Sequence, residues 1–219
     1  SPVHLILCDG MTMEITDEDT SISGGTGASL TIYDQGNKIN NDEVSFICRG
    51  EINIGGDLVI NGGHHIRCGV NNGDYFNGAN INAANIILNS RVLNNQFACN
   101  NITATGNLTI NRGVVEAYSI MATGNLTINS GQIDAPTIRA DGDMLLSWGN
   151  ADDHIHAENY EIGEGKTISI PSGRSFVIDN DDSDTEFIGT IEDADSLSYL
   201  TLVPGYVYFY DYNGSEQKL

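Results

Sequence analysis

The chain has 219 residues, 40% of them hydrophobic, with 4 prolines and a formal net charge of −21. That composition predicts a folded protein rather than a disordered one. With 9 Lys and Arg against 30 Asp and Glu, it lacks the basic face that nucleic acid or anionic lipid would need. No apolar run approaches the roughly 18 residues of a membrane span, so membrane insertion is not expected. An acidic surface is compatible with Ca²⁺ and with neutral glycans.

A strand is expected at Val3 to Leu7 with no signal peptide expected before it, and Ser1 reads as a cut end, of mature processing or of excision. A second strand is expected at Leu30-Thr31-Ile32, after the acidic, glycine-bearing loop from Asp17 to Gly25. Cys8, Cys48, Cys68 and Cys99 have no CxxC spacing, which argues against zinc. They form two disulfides or, as small apolar side chains inside the fold, none.

The plainest signal lies between Phe97 and Ser147. ATGNLTINRGVVEAYSIM is followed by ATGNLTINSGQIDAPTIR, and Ala104, Ala122 and Ala140 open successive copies with a period of 18 residues. A two-helix repeat needs at least about 33 residues, so this period fits one coil of a β-solenoid. Leu108 and Ile110, Leu126 and Ile128, and Met144 and Leu146 alternate with other residues, as in a strand with one buried face. The same strand is legible earlier, at Leu58 and Ile86. Spacings of 28, 22, 18 and 18 residues from Leu58 through Met144 imply loop insertions in the early coils. Such insertions argue against the stricter left-handed hexapeptide form and favour a right-handed one.

A second strand per coil is expected half a turn earlier. Its pattern is large apolar, any, small, any, any, large apolar, as in Phe76 to Ile81, Phe97 to Ile102, Val115 to Ile120, Ile133 to Ile138 and Ile155 to Tyr160. Leu108, Leu126 and Met144 should form one interior column, and Ala117 and Ala135 another. Asn61, Asn89, Asn111 and Asn129 share a slot at the end of the first strand. They are expected to bond one another and the turn backbone along the axis, with Asn111 and Asn129 buried and Ser147 ending the ladder. Thr167 to Ile170 predicts a further coil, giving about seven or eight in all. The division is therefore residues 1–173 for the coils and 174–219 for a C-terminal cap. The cap would hold an acidic loop, a helix near Ile191–Leu200 and an aromatic strand, and would cover the open end of the solenoid.

VHLILCDGMTMEI with GASLTIYDQ, and the ITATGNLTI line from Ile102, resemble β-helix modules of surface proteins of gut anaerobic bacteria. The resemblance spans roughly residues 3–35 and 97–147. It implies a parallel β-helix in a secreted or cell-surface protein, of a kind labelled carbohydrate-binding or adhesive, and supplies no catalytic motif.

Candidate chemistry is sparse. Asn101, Asn107, Asn125 and Asn213 each begin a glycosylation sequon, and the first three read as strand composition within the repeats. Asp179, Asp181 and Asp184 imitate a calcium loop. That loop lacks the sixth-position glycine and has Thr190 where an acid should stand, so Ca²⁺ is at most a loosely held ligand and no cofactor is otherwise implied. His64-His65, and His154 with His156 near Asp152, are paired histidines of the kind that either ligate metal or lie on a surface.

The outward slot of the second strand reads Asn77, Ala98, Glu116, Asp134, His156. Glu116 and Asp134 are then neighbours on adjacent coils. That spacing suits a retaining glycosidase or a calcium site, and equally a solvated acidic patch. Arg139 is the only Arg close to this column in sequence register, which counts against catalysis. Tyr206, Tyr208, Tyr210 and Tyr212 alternate along one strand and share a face. With Trp148 they form either a platform for sugar rings or the packing that seals the solenoid. The reading is a non-catalytic extracellular module for adhesion or glycan binding, whose partner is a glycan or host-surface ligand. The alternatives are a polysaccharide lyase or glycoside hydrolase on the same fold, and a structural spacer.

Overall fold

A computed structural model describes residues 1–8, 10–17, 19–34, 45–62, 65–68, 70–71, 76–89, 96–146, 154–157, 159–163, 166–171, 189–194 and 197–202. Among these residues every regular element is a strand, and one sheet holds 20 of them. Pairing between successive coils is parallel throughout, which makes the chain a parallel β-helix.

Each coil contributes three short strands to three faces. The first face is built by Pro2–Leu7, Ser29–Asp34, the later halves of Ile52–Asn61 and Ile81–Asn89, then Leu108–Arg112, Leu126–Ile128, Met144–Leu146 and Thr167–Pro171. The second face includes Thr12–Ile15, Ser45–Cys48, His65–Cys68, Gln132–Asp134 and His154–His156. The third includes Ile22–Gly24, Thr137–Ala140 and Asn159–Ile162. Gln96–Ala104 and Val114–Ala122 each run through a corner and serve both the second and third faces.

Three strands per coil corrects the expected two. The large-small-large pattern is one turn around a corner, not one straight strand. Pro136 shows why: it lies between Gln132–Asp134 and Thr137–Ala140, and a residue without an N–H cannot continue the ladder.

The core is a set of columns running along the axis. Val3, Leu30, Leu58, Ile86, Leu108, Leu126, Met144 and Ile168 are successive register partners. From Leu30 onward all are buried. Ala117 and Ala135 are likewise buried, each directly after the paired residues Glu116 and Asp134. Stacking the same apolar position about 4.8 Å apart in every coil removes each side chain from water on two sides at once. The coil spacing follows the sequence, with cross-coil bonds joining residues 28, 22 and 18 apart.

Cys48, Cys68 and Cys99 lie in the interior as free thiols, and Cys8 is free and exposed. Cys48 pairs in register with Cys68. Burial pushes the Cys68 thiol well above its usual pKa, with the neighbouring Cys99 and Cys48 adding to the shift, and burial raises Cys99 and Cys48 as well. Small thiols fill the slot that alanine fills in later coils.

The helix expected near Ile191–Leu200 is absent. Gly189–Ala194 and Leu197–Leu202 are strands that form an antiparallel pair. Leu197–Leu202 also runs antiparallel to Thr167–Pro171 of the last coil. Reversing direction ends the parallel stack and occupies its open edge, so the cap forms by strand pairing. At the opposite end the columns surface: Val3 is 56% exposed and Met13 38%.

Candidate ligand-binding face

The first face carries the most regular outward array. Its buried residues alternate with half-buried ones, as in Leu108-Thr109-Ile110 and Leu126-Thr127-Ile128. The central outward column runs His4, Thr31, Val59, Ile87, Thr109, Thr127 and Leu145. Beside it stand Ile6, Tyr33, Asn61 and Asn89 in register, continued by Asn111 and Asn129 through their side chains.

Those four asparagines form an unbroken ladder. Asn89 Nδ2 donates to Asn61 Oδ1 at 2.7 Å, Asn111 Nδ2 to Asn89 Oδ1 at 2.5 Å, and Asn129 Nδ2 to Asn111 Oδ1 at 2.6 Å. The ladder is as the sequence predicts, but it is not buried. Asn61, Asn89 and Asn111 are half-buried and Asn129 is exposed. One residue past an inward Ile or Leu, a strand must point its side chain outward.

A second ladder borders the central column on its other side. Asn85 Nδ2 donates to Asp57 Oδ1 at 2.8 Å. Above it, Asn85 Oδ1 accepts the Asn107 backbone N–H, Asn107 Oδ1 that of Asn125, and Asn125 Oδ1 that of Asp143, each at 2.9 Å. The sequence reading missed this ladder, although its signal was present as the Gly-Asn pair in every ATGN. It explains two of the sequons structurally: Asn107 and Asn125 each bond the next coil. Asn101 is similarly committed, donating to Asn80 and accepting from the Ser119 hydroxyl.

Among the described residues, charge stands at the margins of this face. The central column contains no Asp, Glu, Lys or Arg, and Arg112 is the register partner of Asn89 beside the Asn61-to-Asn129 ladder. Asp57 and Asp143 lie in the second ladder, and Arg112 lies at the corner where the register shifts past Leu88. At the N-terminal end the rings of His4 and Tyr33 stack, centroids 5.8 Å apart and planes 29° from parallel.

Glu116 and Asp134 are register neighbours as expected, and Asp134 in turn neighbours His156. Asn77 does not belong to that column. Its place is taken by Arg67, which pairs with Ala98, while Asn77 pairs antiparallel with Val70 in a separate two-stranded sheet. The 28-residue spacing leaves room for this excursion, and a residue inside an insertion loses the register of the coil. Arg139 bonds Asp141 and Glu161 instead of the acidic pair.

Among the described residues no group of three or more His, Cys, Asp and Glu could hold a metal ion. The calcium-loop candidates Asp179, Asp181 and Asp184 lie outside the described residues. So do Trp148, Tyr206, Tyr208, Tyr210, Tyr212, Ser147, Asp152 and His64. Comparison with protein-family models, curated proteins and solved structures gives no match to this chain.

Proposed function

We propose that this chain is a non-catalytic module of a secreted or cell-surface protein that binds a glycan through its first face. The observation that carries this reading is the composition of that face. On a chain of net charge −21, a half-buried stripe of Thr, Val, Ile and Leu free of charged side chains runs between two carboxamide ladders. Apolar methyl groups suit the C–H faces of sugars, and amides suit their hydroxyls. The resemblance to surface β-helix modules of gut anaerobic bacteria supports the same class.

A glycan array is the direct test. Binding to any glycan that is lost on placing a charge at Thr109 supports the reading, and a blank array leaves a structural spacer. Adjacent Glu116 and Asp134 favour a second reading, a glycan-active enzyme. Assays on a polysaccharide panel with and without Ca²⁺ separate the two, because bond cleavage that Glu116→Gln abolishes would displace the binding module.

A further inference from the structure

Resting on the glycan-binding reading, we infer that the ligand is an extended, uncharged β-linked polysaccharide lying along the solenoid axis on the first face, with Tyr33 closing one end of the site.

The repeat distance is the first argument. Adjacent strands in a sheet lie about 4.8 Å apart, so Asn61, Asn89, Asn111 and Asn129 offer one carboxamide per strand spacing. An extended β-1,4-linked chain advances about 5 Å per sugar, within a few tenths of an ångström of that strand spacing. A chain laid along the axis therefore meets one coil per sugar. A mismatch of about 0.3 Å per step accumulates to about 1 Å over the three steps from Asn61 to Asn129, or about 0.5 Å either side of a centred chain, comparable to the spread of hydrogen-bond distances.

The second argument is capacity. A carboxamide has two N–H donors and two acceptor lone pairs. In the ladder, Asn89 and Asn111 each donate one hydrogen bond and accept one. Each amide thus keeps one donor and one acceptor, the combination a sugar hydroxyl needs. The ladder also fixes every amide in one orientation, which lowers the ordering cost of binding.

The third argument is the end of the row. Tyr33 is the register neighbour of Asn61, and its ring is stacked on His4. A flat ring held at the end of an amide ladder suits the C–H face of one further sugar. Charge sets the class of chain. A polyuronate would bring a carboxylate to each coil of a protein of net charge −21, whereas a neutral chain meets no such repulsion.

The test is calorimetric titration of the protein with β-1,4-linked glucose, mannose and xylose oligosaccharides of two to six units, with β-1,4-linked mannuronate oligomers in parallel. For at least one neutral series, affinity should rise about threefold or more per added sugar and level off near five units. The mannuronate series should bind at least about tenfold more weakly than the mannose series. Thr109→Glu and Tyr33→Ala should each weaken the hexasaccharide about tenfold or more, with the circular dichroism spectrum retained. Affinity that does not grow with length, or that neither substitution alters, overturns the axial site while leaving glycan binding intact. Preference for mannuronate does the same. If none of these oligomers binds, the inference falls, and a blank glycan array is what takes the glycan-binding reading with it.

Discussion

Asn107 occupies the space that a side chain on Gly124 would need. A Cβ built on Gly124 would lie 2.5 Å from Asn107 Oδ1, the oxygen that accepts the Asn125 backbone N–H at 2.9 Å. Gly106 stands in the same relation to Asn85, also at 2.5 Å. The Gly-Asn pair in ATGN is therefore one device in two parts. The asparagine of each coil satisfies the coil above, and the glycine of that upper coil makes room for it.

Gly124→Ala should accordingly cost about 2–4 kcal/mol, from overpacking and from displacing the bond to Asn125. Asn107→Ala alone should cost about 1–2 kcal/mol. In the double variant the methyl group meets less crowding, although the Gly106 carbonyl oxygen remains 2.9 Å from its position. Chemical denaturation of all four proteins should give a coupling energy of at least about 0.5 kcal/mol. Strict additivity would show that the two residues act independently.

The interior column gives a larger effect. Leu126 is fully buried between Leu108 and Met144. Leu126→Ala should lose about 2–5 kcal/mol through the cavity it leaves. Leu126→Asp should unfold the middle of the solenoid, because no partner for a carboxylate lies between those coils. A thermal melt of Leu126→Asp that stays cooperative near the parent temperature would contradict this register.

The exposed end of the amide ladder should matter less than its middle. Asn111 both donates and accepts within the ladder, whereas Asn129 is exposed and donates one bond. Asn111→Leu should cost about 1–2 kcal/mol and Asn129→Leu under about 1 kcal/mol. Equal losses at the two positions, read from denaturant midpoints, would refute the gradient.

The stacked thiols predict both reactivity and pH dependence. In the native protein a thiol reagent should label Cys8 alone, and Cys48, Cys68 and Cys99 only after unfolding, because the reactive species is the thiolate. The folded-state pKa values of Cys68 and Cys99 are raised, so the folded protein retains protons that the unfolded chain releases. Their stabilising contribution is complete below the unfolded thiol pKa of about 8.5 and is lost as pH climbs past it. The slope should approach about 1.4 kcal/mol per pH unit for each thiol. Replacing Cys68 and Cys99 with alanine, the residue their slot holds at Ala117, should flatten the stability profile above that pH.

The sequence by itself determined the repeat, the interior columns and the shared asparagine slot, although not that this slot faces outward. Each follows from strict alternation and a fixed coil period, which place Leu108, Leu126 and Met144 at one register position whatever the rest of the chain does. Only the tertiary structure decided how many faces a coil has, because a corner such as that at Pro136 leaves the large-small-large pattern unchanged. It also decided that Arg67, not Asn77, shares a column with Glu116, since an insertion erases register that spacing alone would carry across it. The strand pairing of the cap was likewise outside the repeat. Gly189–Ala194 and Leu197–Leu202 take their direction from the open edge of Thr167–Pro171, a surface that exists only once the coils have stacked. The second asparagine ladder shows the same limit. Gly124 and Asn107 lie far apart along the chain, and their dependence on each other is set by the close approach of two neighbouring coils.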